Sequence, residues 1–82
     1  METGLSNLKK YNKVFCDTLS VGEDVISALR YQDVENWDSI GHMQLMAGLE
    51  DAFEIEMDID DIIDFSSYEV GKTILKKYDV AV

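Results

Sequence analysis

The stretch DSIGHMQLMAGLEDAFE, residues 38–54, decides the fold, because it reads as one helix with two apolar sides. At about 100° per residue, Leu45, Leu49, Ala52 and Phe53 share one side, with Met46 at its margin. Ile40, Met43 and Ala47 fall opposite, in register with Glu50, Asp51 and Glu54. The first stripe is a core stripe. A small domain cannot readily bury the same helix twice, so the second stripe is either an exposed docking strip rimmed by carboxylates or is covered by a neighbouring loop.

The helix starts at Asp38 or Ser39 and runs to about Glu54. Asp and Ser are both good N-caps. Gly41 and His42 stand three positions beyond them, so neither forms a capping box. With Asp38 able to cap, Ser39 is left as an exposed hydroxyl near the positive end of the helix dipole. A phosphate attached there is electrostatically tolerated, which makes Ser39 a candidate modification site.

Working outward, Leu5, Leu8, Phe15 and Leu19, with Tyr11 or Val14 between, predict a first helix from about Ser6 to Leu19, with Gly22 as its stop. Residues 20–36 hold Val21, Val25, Ile26, Leu29, Tyr31 and Val34 without a sustained period. They read as a long connection pinned to the core, with a short helical turn near Asp24 to Leu29. Loops of that length are often functional. Asp58 can cap a short helix that packs Ile62 and Phe65, with Ile59 or Ile63 assisting. Ser66 and Glu69 have capping-box spacing for a last helix that turns Val70, Ile74, Leu75 and Tyr78 inward. The lysines of that helix lie near its C-terminus, where the dipole favours them. The expected fold is a single all-α domain over 1–82 with an ordered core of about 5–78. It is a small four-helix bundle of three longer helices and one short one, with a long first loop.

Composition narrows the function. A chain of 82 residues holds one domain, too small for both a sizeable core and a deep catalytic cleft. The net charge is −10, and from Asp33 to Glu69 there are twelve acidic residues and no Lys or Arg. Such a surface repels a phosphate backbone, which disfavours nucleic acid. It either serves solubility or steers basic partner proteins. No apolar run approaches membrane-spanning length, and Met1 to Tyr11 is unlike a signal peptide, so a cytoplasmic monomer is expected. The lone Cys16 has no cysteine partner for a disulfide or zinc site and reads as a small buried hydrophobe.

Two catalytic or metal readings fail. Ser39 and His42 resemble a nucleophile and base, yet there is no second His and no G-x-S-x-G elbow; His42 projects toward the core side as a helix-rim residue. An EF-hand loop counted from Asp58 places Ile62 fifth, where an oxygen ligand belongs, and Ile63 sixth, where Gly belongs. No metal site is expected beyond weak, nonspecific divalent binding to the crowded carboxylates.

WDSIGHMQLMAGLEDAFEIEMDIDDIIDFSSYEVGKTILKKY, residues 37–78, resembles the acyl carrier proteins and the related aminoacyl and peptidyl carriers, most strongly over residues 37–75. The motif elements are Asp38, Ser39 and Ile40, then Glu50 and Asp51, then Phe53. The resemblance implies that a phosphopantetheinyl transferase attaches phosphopantetheine from coenzyme A to Ser39, beside Asp38. The serine oxygen attacks the pyrophosphate, and the distal thiol then carries acyl groups as thioesters. The chain is then a non-catalytic carrier. Its Ile40, Met43, Ala47, Glu50, Asp51 and Glu54 face basic patches on acyl-loading and acyl-transferring enzymes, and Met57 and Ile62 border a cleft for the arm or its cargo.

Ile40 stands for the family's usual Leu, Gln44 for a Glu common in fatty-acid carriers, Trp37 for a small residue and Asp58 for a frequent proline. These departures imply a stand-alone carrier of specialised biosynthesis, such as a polyketide pathway, more than the main carrier of fatty acid biosynthesis. An aminoacyl or peptidyl carrier and an unmodified acidic helical adaptor are the alternatives.

Overall fold

Tyr11, Phe15 and Leu19 recur at four-residue intervals, and this row becomes the buried edge of the first helix, α1 (Thr3–Leu19). The computed structural model describes residues 3–82, with side chains from residue 7 onward. The contribution expected of Leu5 therefore lies outside the described side chains. The helix begins before the expected Ser6, because apolar spacing marks buried positions and not the first backbone hydrogen bond. Its stop is also different. Ser20, not Gly22, takes the left-handed turn (φ 58°), and Gly22 instead precedes the next helix as its N-cap.

The second helix, α2 (Glu23–Ile26), is the short turn expected within the long connection. Ile26, Leu29 and Trp37 pin that connection to the core, and Val21, Tyr31 and Val34 pack half-buried against it. Val25, expected to help, is exposed. Two backbone hydrogen bonds, Tyr31 N–H to the Ser66 carbonyl (2.9 Å) and Tyr68 N–H to the Leu29 carbonyl (3.1 Å), tie the connection to the start of the last helix.

Then follow α3 (Ser39–Phe53), α4 (Ile59–Asp64) and α5 (Tyr68–Lys76). Among the described residues the protein is all-α, with five helices and no strand beyond an isolated bridge between Arg30 and Ser67. The closest helix pair is α1 against α3, and α4 sits more loosely. Leu45, Met46 and Leu49 of α3 are buried, as their stripe predicts, while Ala52 and Phe53 are half-buried.

The centre of the core is aromatic. Phe15 packs against Tyr11, Tyr68, Trp37 and Phe65 with ring centroids 4.9–6.2 Å apart, distances at which edge-to-face pairs are favourable. The buried Tyr11 hydroxyl donates to the Tyr68 carbonyl at 2.6 Å, which satisfies it. Gly71 is required here, since a Cβ would stand 2.1 Å from Phe65 Cζ and 2.3 Å from the Tyr11 hydroxyl.

The cap of α5 is Ser67, whose Oγ accepts from Val70 N–H at 3.0 Å; Ser66, the expected cap, lies one residue too early. Ile74 and Leu75 point inward as expected, and Tyr78 packs half-buried, but Val70 is exposed. The core also extends past Tyr78, because Val80 is buried and its N–H donates to the Leu75 carbonyl. Cys16 is half-buried rather than buried. Desolvation, reinforced by Glu23, Asp17 and Asp24, pushes its thiol pKa up, which disfavours the reactive thiolate. No helix among the described residues is long and apolar enough to cross a membrane.

Candidate functional site

The site is built around the start of α3, where local interactions fix the backbone before Ser39. Asn36 Nδ2 donates to the Leu19 carbonyl at the end of α1 (3.0 Å). Trp37 N–H donates to the Val34 carbonyl, and the Trp37 carbonyl accepts from Gln32 N–H. The Trp37 side chain is wholly buried. Asp38 is the N-cap: its Oδ1 accepts from Gly41 N–H at 2.8 Å and its carbonyl accepts from His42 N–H at 2.7 Å. Gly41 has no freedom to vary, because a Cβ there would lie 1.7 Å from the Asn36 carbonyl oxygen.

Ser39 is therefore the first helical residue, exposed, with no hydrogen bond to its hydroxyl among the described residues. Ser39 is one of the residues lining a cleft of about 370 Å³ between α3 and α4. Ser39, His42 and Met43 line one wall, and Ile59, Ile62 and Ile63 line the other. Tyr31, Phe65 and Ser66 complete it. An apolar cavity with a few polar groups at its margin is the usual character of a small-molecule pocket.

Ile59 and Ile63, one or the other of which was expected to assist the core, stand 67% and 71% exposed. Ile40 and Met43 of α3 are likewise exposed, at 71% and 52%. The outward stripe of α3 is thus uncovered: the long connection does not fold over it. Ala47, Asp51 and Glu54 are exposed along the same helix, and Glu54 closes it in a left-handed conformation (φ 56°).

Glu50 differs from its neighbours. Its Oε2 accepts from Met57 N–H at 2.9 Å, so it fastens the chain that returns from α3. Met57 itself is buried in the core and does not line the cleft, whereas Ile62 does. The expectation for Met57 fails because the α3–α4 connection turns its side chain into the bundle.

His42 sits on the cleft wall, half-buried, with both ring nitrogens engaged. The Trp37 indole Nε1–H donates to His42 Nδ1 at 2.9 Å, and His42 Nε2 meets the Ile62 carbonyl at 2.8 Å. An indole only donates and a carbonyl only accepts, so Nδ1 carries the lone pair and Nε2 the proton.

The far side of α4 is tied to α5. The buried Asp61 carboxylate accepts from Lys77 Nζ at 2.6 Å and from the Tyr78 hydroxyl, which in turn accepts from Asp58 N–H. The Lys77 and Tyr78 hydrogen bonds hold the Asp61 pKa below its ordinary value, and Asp61 raises those of Lys77 and Tyr78. Asp58 caps α4 through its backbone position alone, without the expected side-chain bond.

Tyr31, Phe65 and Ser66 were not foreseen as cleft residues. The signal available in the sequence was Ile59, Ile62 and Ile63 together, an apolar face too wide for a six-residue helix to bury. Among the described residues no three His, Cys, Asp or Glu side chains converge as metal ligands. No protein-family model, curated protein or solved structure matches the chain.

Proposed function

We propose that this chain is an acyl-carrier-type protein, modified with phosphopantetheine on Ser39. In this reading α1, α3 and α5 are the long helices and α4 the short helix of a four-helix carrier bundle, with α2 a turn in its long first loop. One observation carries the proposal: Ser39 is exposed, released from capping by Asp38, and is among the residues lining an apolar cleft.

The residues present suit the group. Attached to Ser39, a phosphate would lie near the positive pole of a 15-residue helix, which favours an anion. When attached, the group supplies a thiol that holds an acyl chain as a thioester. The chain's own residues do the rest. Ser39 Oγ would provide the point of attachment, Asp38 takes the capping role in its place, and Met43, Ile59, Ile62 and Ile63 would offer apolar cover from water. Ile40 and Met43, with Ala47, Asp51 and Glu54 beyond, form the face for basic partners, including the transferase and the acyl-handling enzymes.

The test is incubation with coenzyme A and a broad-specificity phosphopantetheinyl transferase, followed by intact mass. The wild-type chain gains one phosphopantetheine and Ser39→Ala gains none. An unmodified wild-type chain sinks the proposal. The exposed Ile40 and Met43 favour one second reading, an unmodified acidic adaptor. That protein binds its partner equally well with Ser39→Ala and loses binding with Met43→Ala.

A further inference from the structure

We propose that Asp61, clamped by Tyr78 and Lys77, is a positioning residue that turns the isoleucine side of α4 out to the cleft, against the preference of those apolar side chains. At about 100° per residue, Ile59, Ile62 and Ile63 share one side of α4 and Asp61 stands opposite. Burial runs the other way from hydropathy. Asp61 is the one charged side chain buried among the described residues, while Ile59 and Ile63 are exposed. A six-residue helix has little stability of its own. Apolar burial alone would turn the isoleucines in and the carboxylate out.

Met57 and Phe65 are buried at the two ends of α4, which fixes where the helix lies but leaves its rotation open. Polar bonds fix the rotation. Tyr78 is the hub: its hydroxyl accepts from Asp58 N–H at 2.9 Å and donates to one Asp61 oxygen. Lys77 Nζ donates to the other Asp61 oxygen at 2.6 Å. The carboxylate stays inside because each of its oxygens has a donor. Replacing a buried ion pair by apolar groups of similar volume is often neutral or stabilising. The distinctive effect of the cluster is therefore the orientation of α4, which places Ile59, Ile62 and Ile63 along the cleft with Met43.

Asp61, Lys77 and Tyr78 do not themselves line the cleft, so they act on it through α4 alone. The clamp holds whether or not Ser39 carries a group. Only its consequence, apolar cover for a cargo, rests on the carrier reading. A chain that no transferase modifies would end that reading and leave the clamp untouched.

The unmodified protein tests the clamp, by isoleucine methyl NMR with a soluble paramagnetic agent and by binding of the apolar probe Nile red. In the wild type, Ile59 and Ile63 are broadened as strongly as Ile40 and far more than the buried Ile26, and Nile red shifts their methyl signals. Lys77→Met combined with Tyr78→Phe strips both donors from Asp61. The carboxylate then turns to water, Ile59 and Ile63 lose their broadening, and the Nile red Kd rises about 10-fold, as for the loss of one charge-assisted hydrogen bond. Adding Asp61→Leu makes the inward side apolar and restores both readouts. Val14→Ala, on α1, which gives the cleft no residue, lowers stability and moves neither readout. If the double variant loses its helical circular dichroism, Tyr78→Phe alone decides, with the same changes at about 3-fold. The proposal is overturned if wild-type Ile59 and Ile63 are broadened no more than Ile26, or if the wild type binds no Nile red. It is equally overturned if the folded variant lacking the donors keeps both isoleucines exposed, if Asp61→Leu restores nothing, or if Val14→Ala has the same effect.

Discussion

Asp38 Oδ1 accepts the backbone N–H of Gly41 at 2.8 Å, and by doing so it takes the capping role that the adjacent Ser39 could have filled. Two residues suited to the same task are thereby given different ones. Asp38→Ala should lower stability by about 1 kcal/mol, the usual loss for a helix cap. Ser39→Ala, at an exposed first helical position, should change it by less than about 0.5 kcal/mol. Urea unfolding of both variants checks this. Equal losses would mean that Ser39 shares the cap.

Gly41→Ala forces a Cβ against the Asn36 carbonyl, 1.7 Å away, where backbone and not a flexible side chain must move. The expected cost is about 1–3 kcal/mol, typical of overpacking, visible as a lower urea midpoint. An unchanged midpoint would contradict the tight approach of Asn36 to α3.

Glu50 is fastened to Met57 N–H, which separates it from Asp51 and Glu54 on the same helix. Glu50→Ala should destabilise the fold by about 1 kcal/mol, whereas Asp51→Ala should leave the urea midpoint nearly unchanged. A charge reversal at Asp51 is therefore the cleaner probe of the outward face. Similar midpoints for the two variants would remove the structural role of Glu50.

Asp61 and Lys77 give stability a pH dependence of defined sign. The folded pKa of Asp61 lies below its ordinary 3.8, so its contribution is present above that value and is lost as pH falls through the lower folded value. The folded pKa of Lys77 lies above its ordinary 10.5, so its contribution is present below that value and is lost as pH rises further. Urea midpoints should fall at both extremes in the wild type, and Asp61→Asn should flatten both limbs. Parallel curves for the two proteins would discount the pair.

The twelve carboxylates between Asp33 and Glu69 repel one another, and no three metal-ligating side chains converge among the described residues. Magnesium should therefore raise Tm by screening, and sodium chloride at matched ionic strength should reproduce the rise. A rise specific to magnesium would point instead to a bound ion.

Legibility in the sequence followed segment length. Fifteen residues of α3 gave enough turns to separate the buried Leu45 and Leu49 from the exposed Ile40 and Met43. The six residues of α4 did not: Ile59 or Ile63 was expected to assist the core, yet both are exposed and line the cleft. Adjacent Ser66 and Ser67 are equivalent as cap signals, and only the hydrogen bond to Val70 separates them. Met57 was misplaced because a loop residue has no periodic face to read. The bridge from Trp37 through His42 to Ile62 depends on contacts across 25 residues, beyond any local pattern.

The most direct measurement is peptide mapping by tandem mass spectrometry of the protein isolated from its native source. The account predicts a phosphopantetheine, with or without an acyl group on its thiol, on the peptide containing Ser39. Native material in which that peptide is fully recovered and unmodified would contradict it.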